Sequence, residues 1–163
     1  MKNINKIRMP FMGIIIAMLF TSCLKKGLPE LPLADGNAIT LVNAEYRFES
    51  GAKNMNGQSI VTNRTLTVVQ GNIDKVNGII NVAISVPAAG SPVDFTAAEK
   101  AKVVQTKIWF NVNLSTAATI SPTGGTPALG DPTDATKPLK YVVTAANGDV
   151  KVWTINVTSF SNN

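Results

Sequence analysis

The 163-residue chain has no histidine and a single cysteine, Cys23. A Ser-His-Asp triad, a Cys-His nucleophile pair and a Cys/His zinc site are therefore all excluded within it. No intramolecular disulfide can form, so cysteine usage carries no argument about redox compartment. Charged residues make up only 15% of the chain and hydrophobic residues 45%, the opposite of the low-hydrophobicity, high-charge balance of a disordered chain. Aromatic residues are few at 6%, so a core here must be built mainly from valine, isoleucine, leucine and alanine. No apolar run reaches the roughly 20 residues that a spanning helix needs.

The formal charge of +5 overstates the basicity of the functional part. Lys2, Lys6 and Arg8 stand in the first few residues, and without them 12 basic residues face 10 acidic ones. No face gathers Lys and Arg into the basic stripe of a nucleic-acid binder, so no nucleic acid is expected as a partner.

The first 23 residues read MKNINKIRMPFMGIIIAMLFTSC. Three positive charges precede an apolar run from Met9 to Phe20, then come the small residues Thr21 and Ser22, then Cys23. This is the order of an export leader, with an apolar run too short to span a bilayer. The junction LFTSC resembles the lipobox of bacterial lipoproteins, in particular the Bacteroidetes form that tolerates Thr-Ser before the cysteine. The resemblance implies a leader over 1–22 and a Cys23 that becomes the first residue of the mature chain and carries acyl chains, attaching the protein to a membrane. Residues 24–37, LKKGLPELPLADGN, hold two prolines and two glycines with no periodicity and read as a tether. Lys25-Lys26 would sit beside the lipid.

From residue 38 to about 160 the pattern is that of strands. Val42, Ala44, Tyr46 and Phe48 share one phase against Asn43, Glu45, Arg47 and Glu49. Ile60 to Gln70 reads as a second strand, and Ile80, Val82, Ile84 and Val86 alternate in a third that Pro87 stops. Thr96 to Val104 is the one helical stretch, with Thr96 and Glu99 at capping-box spacing. Ile108, Phe110, Val112 and Leu114 mark another strand. Ser115 to Lys137 holds three prolines and three glycines, and a loop that long predicts a short strand near Ala118 to Ile120. YVVTAANGDVKVWTINV closes the chain as a hairpin, whose Asn147-Gly148 predicts a type I′ turn. About seven strands with one short connecting helix predict an all-β, immunoglobulin-like antiparallel β-sandwich.

The segments ATISPTGGTPA and KPLKYVVTAANGDVKVWTINV resemble the C-terminal half of immunoglobulin-like domains in Bacteroidetes lipoproteins of unknown function. There a tisP-sG stretch precedes a YxVTAxDGxxKxYTVxV hairpin. Ile120, Ser121, Pro122 and Gly124 match the first part. Tyr141, Val143, Thr144, Ala145, Gly148, Lys151, Thr154 and Val157 match the second, with Asn147 in place of Asp and Trp153 in place of Tyr. Such proteins are associated with outer-membrane glycan uptake. The resemblance thus implies an outer-membrane, lipid-anchored location and a glycan or an outer-membrane protein as partner. The residues after Cys23 are basic and leave the periplasmic side and the cell surface both open.

Strand phase sets Trp109 opposite Ile108, Phe110, Val112 and Leu114, on the polar face with Lys107 and Asn111 as flanking donors. An aromatic there either stacks on a sugar ring or is covered by a loop or by the tether. Trp109, Asn111 and Lys107 are the ligand-binding candidates. Asp131 and Asp134, in GDPTDATKP, lack the regular acidic alternation of calcium loops, and Asx turns account for them. No metal, cofactor or catalytic residue is expected, since nothing marks a general base. The expected function is a non-catalytic cell-envelope lipoprotein with a binding or structural domain; the alternative is a glycan-binding accessory protein.

Overall fold

The computed structural model describes residues 31–163; the expected leader, Cys23 and most of the expected tether lie outside them. Nine strands and one short helix follow in order: β1 Ile39–Lys53, β2 Ser59–Thr65, β3 Thr67–Asp74, β4 Ile79–Ser85, α1 Ala97–Lys100, β5 Ile108–Leu114, β6 Thr119–Thr123, β7 Pro132–Thr133, β8 Leu139–Thr144 and β9 Val150–Ser161. They form a four-stranded sheet in the order β2-β1-β5-β7 and a five-stranded sheet in the order β3-β4-β9-β8-β6. The two pack as a sandwich. The expected core positions are inside: Val42, Ala44 and Phe110 from one sheet, Ile80, Ile84, Tyr141, Val143, Trp153 and Ile155 from the other, each at most 2% exposed. Val157, expected with them, is half-buried where β9 leaves the centre of the sheet. Phe95, ahead of α1, is fully buried although no strand pattern marks it.

Five features depart from the sequence reading. The sandwich is not wholly antiparallel, because β4 and β9 run parallel, Ile80 beside Ile155. The hydrophobic run from Ile60 to Gln70 is two strands in different sheets, β2 pairing with β1 and β3 with β4. Helix α1 is a single turn; Thr96 Oγ1 accepts from Glu99 N–H at 3.2 Å as a cap should, but the Glu99 carboxylate turns to Tyr46 and Lys102 instead of closing a capping box. The closing hairpin does not use a type I′ turn. Gly148 alone is left-handed, at φ +94°, with its N–H on the Ala145 carbonyl and Ala145 N–H on that of Asp149. This is a type I turn followed by a glycine bulge, which needs φ > 0 at one residue only. Two strands, β6 and β7, interrupt the long loop where one was expected.

The break at Leu66 shapes the sandwich. β2 covers β1 only from Glu45 onward, so the earlier half of β1 is left without a strand on that side. Leu66 buries its side chain and gives its N–H to the Ala44 carbonyl at 2.9 Å. Gln70, now in the other sheet, reaches back: its Oε1 accepts Val42 N–H at 2.9 Å and its Nε2 donates to the Thr40 carbonyl at 3.4 Å. One primary amide thus stands in for the missing strand and gives the backbone N–H of buried Val42 its partner. The β3–β4 turn needs glycine for a similar reason of space. Gly78 has φ +68°, and a Cβ there would lie 2.3 Å from the Val152 carbonyl oxygen.

The final residues of the tether are docked. The Ala34 carbonyl accepts Asn147 N–H at 3.1 Å, and the Asn37 carbonyl accepts the indole N–H of Trp153 at 2.8 Å. Ala38 and Ser115 bind each other, Ser115 N–H and Oγ on the Ala38 carbonyl and Ala38 N–H on Ser115 Oγ. The chain therefore enters at the end of the sandwich that carries the β8–β9 turn.

Two predictions follow from the packing. Gln70→Ala should destabilise the fold by about 1–3 kcal/mol, the cost of an unsatisfied buried backbone donor, read as a lower urea midpoint at unchanged m. Burial pushes the Tyr141 hydroxyl up to about 12, from an ordinary value near 10. The raised value means that the folded state holds the phenolic proton more tightly than the unfolded state does. Stability from this group is complete below pH 10 and is lost as pH climbs towards 12. Tyr141→Phe should flatten that part of the stability profile in alkaline denaturation.

Candidate functional site

In register, Trp109 pairs with Glu45, and Arg47 with Asn63, so these residues share the outer face of the first sheet with Asn111. That is the face on which strand phase places Trp109. The indole is nevertheless only 8% exposed. The Arg47 guanidinium lies over the ring at 5.9 Å from its centre and the Lys107 ammonium at 5.8 Å, while Tyr46 meets it edge-on at 6.3 Å. A cation over an indole is attracted by the negative face of the ring, and the stems of Arg and Lys cover apolar surface while their heads stay wet. Two long cationic side chains lie over Trp109.

Arg47 is fixed in that position. It makes an ion pair with Glu45 at 2.6 Å, donates to the Gly130 carbonyl at 3.0 Å, and Glu45 also accepts from Asn63 Nδ2 at 2.7 Å. With its polar atoms held at both ends, the guanidinium is a lid on Trp109. Of the three candidate residues, the structure brings Trp109 and Lys107 together; Asn111 is exposed one pair further along, opposite Asn43, and takes no part in the cluster.

Beside this cluster, a cleft of about 600 Å³ opens where β1 runs on past the start of β5. Tyr46, Phe48 and Val61 give it apolar wall, and Arg47, Lys102, Lys107, Glu49 and Glu99 give it charge. Phe48 stacks on Tyr46 at 5.8 Å, and Phe95 packs under both. The Tyr46 hydroxyl donates to Glu99 at 3.2 Å, and Lys102 closes on the same carboxylate. Burial, then the negative charge of Glu99 and its hydrogen bond, raises the Tyr46 hydroxyl above its ordinary value. Sequence reading takes Tyr46 and Phe48 only as core and assigns Glu99 to a helix cap. Their common site follows from the docking of α1 against β1, for which no local pattern exists.

Among the described residues no group of three or more Asp, Glu, Cys or His side chains is placed to hold a metal ion. Asp134 is the Asx turn that its sequence predicts: its Oδ1 accepts from the Thr136 hydroxyl at 2.6 Å and backbone N–H at 3.1 Å. The Thr136 hydroxyl first, then its N–H, with help from Lys137, hold the Asp134 carboxyl below the ordinary range.

Trp109→Ala should lower stability by about 3–5 kcal/mol, the range for truncating a large buried aromatic. Thermal and urea melts check this. An open stacking residue would instead leave the melt nearly unchanged.

No curated protein matches the chain. Among solved structures it is similar to a crystal structure of a "putative secreted protein" from Bacteroides fragilis NCTC 9343. The two are 41% identical, the match covers 79% of this chain and 99% of that one, and the TM-score is 0.71. A family model described as DUF5018-related matches residues 39–156, from the first residue of β1 well into β9. With the greater part of the chain and nearly the whole sandwich inside that match, the protein belongs to the DUF5018-related family.

Proposed function

We propose that this is a non-catalytic cell-envelope lipoprotein, held at the outer membrane through acyl chains on Cys23, whose sandwich is a binding or structural module. The observation that carries the reading is the junction LFTSC at the end of a short apolar run. Among the described residues no helix is long and apolar enough to cross a membrane. In this reading, attachment falls to the lipid on Cys23. Each buried methylene contributes about 0.8 kcal/mol, so two or more chains hold where one is marginal. The relative from Bacteroides fragilis, described as secreted, supports export of this family.

The non-catalytic part of the reading rests on how the charged groups are used. Glu45 is tied to Arg47 and Asn63, and Glu99 to Tyr46 and Lys102. Each carboxylate is occupied in holding strands and α1 together. A sugar-stacking role for Trp109 needs a bare indole face, and Arg47 and Lys107 lie on this one.

Expressed in a Bacteroides host, the protein should partition into detergent extracts of the membrane with an acylated N-terminal cysteine visible by mass spectrometry. Cys23→Ala should release it from the membrane fraction. A Cys23→Ala protein that stays anchored to the same extent defeats the lipoprotein reading.

A further inference from the structure

The strand lane beside β1 is only half filled. β5 starts at Ile108 and pairs with β1 no further than Glu45, while β1 continues to Lys53. In an antiparallel sheet each residue directs both its N–H and its C=O to the same side, and successive residues alternate sides. Ala44 and Val42 direct theirs towards Leu66 and Gln70, so the odd-numbered residues face the β5 lane. Glu45 is paired there with Trp109. Beyond it, the main-chain groups of Arg47 and Glu49 face the same lane, and no described residue pairs with them on that side. This open edge forms the margin of the cleft lined by Tyr46, Phe48 and Trp109.

We infer that this edge and cleft together bind an extended peptide of a partner protein, laid down as a continuation of the β5 lane and carrying an acidic side chain towards Lys107. An unpaired row of alternating donors and acceptors is matched by another polypeptide backbone, which neither a glycan nor a lipid reproduces. Side chains alternate along such a strand, so one set faces Tyr46 and Phe48 while the other meets the charged rim. Lys107 supplies the charge preference. It is exposed, held over Trp109, and within 4 Å of no described carboxylate, whereas Lys102 and Arg47 already have Glu99 and Glu45. The chain enters beside the β8–β9 turn, near Ile39 and Leu114, whereas the open edge lies at the other end of β5.

The inference rests on reading the domain as a binding module and does not depend on the anchor. The probes are synthetic eight-residue peptides of alternating valine and threonine with one aspartate moved through the threonine positions, titrated into the purified full chain in detergent and followed by calorimetry. At least one should bind with a Kd below about 1 mM. N-methylation of alternate residues on the edge facing β1 should weaken it at least about tenfold, and so should Lys107→Glu, whose exposed side chain lets the fold persist. Replacing the aspartate of the peptide by lysine should recover binding to Lys107→Glu. The Cys23→Ala protein should bind equally, which separates failure of this site from failure of the anchor. Binding by none of the peptides, or equal binding of the N-methylated form, overturns the inference. So does concentration-dependent dimerisation in sedimentation that Glu49→Pro abolishes, which would give the edge to a second copy of the chain.

Discussion

The sandwich depends on one place where the chain changes sheets. At Leu66 the polypeptide stops pairing with β1 and starts pairing with β4, and that single residue is buried while its N–H remains tied to Ala44. A covalent crossover of this kind holds the two sheets together at one edge without a disulfide, which a chain with one cysteine cannot make. Its cost is a length of β1 backbone left without a neighbouring strand. The Gln70 amide meets that cost because it carries both a donor and an acceptor on one short plane, as a peptide group does. A hydroxyl or a carboxylate in its place lacks that pairing of a fixed donor with a fixed acceptor.

The far part of β1 is governed by charge and aromatic surface rather than by pairing. Past Glu45 it has β2 on one side and, among the described residues, no paired strand on the other, yet its inward side chains, Tyr46 and Phe48, are buried. Phe95 and α1 supply that burial from outside the sheets, with Glu99 bridging Tyr46 and Lys102. On the outer surface, Arg47 does for Trp109 what Phe95 does for Tyr46. The strand is therefore well packed on both faces and open along one edge. Openness confined to the backbone leaves recognition of an extended chain as the chemistry available there.

The point where the chain enters the sandwich and the open edge of β1 lie at opposite ends of β5. Ala34 and Asn37 fasten the entering chain to Asn147 and Trp153, so the chain is part of the sandwich from Ala34 onward rather than from Ile39.

Much of this was already legible in the residues. Period-2 alternation in segments such as Ile39–Phe48, Ile80–Val86 and Ile108–Leu114 determines strands and their inner faces, because a one-residue slip would put every valine and isoleucine in water. The Asp134 turn and the Thr96 cap follow from side chains that reach only their neighbours. The phase of Trp109 was equally plain. What covers it was not, because Arg47 and Trp109 become neighbours only through the β1–β5 register, a long-range pairing that no local pattern encodes. The same holds for the division of Ile60–Gln70 between two sheets. Its alternation is continuous and compatible with one strand, and β1 offers free edge back to Ile39, so the switch at Leu66 is set by the burial of that side chain and by the pairing of β3 with β4. Sequence sets which side chains must leave water; the three-dimensional packing sets which partners they find and which backbone edge is left open.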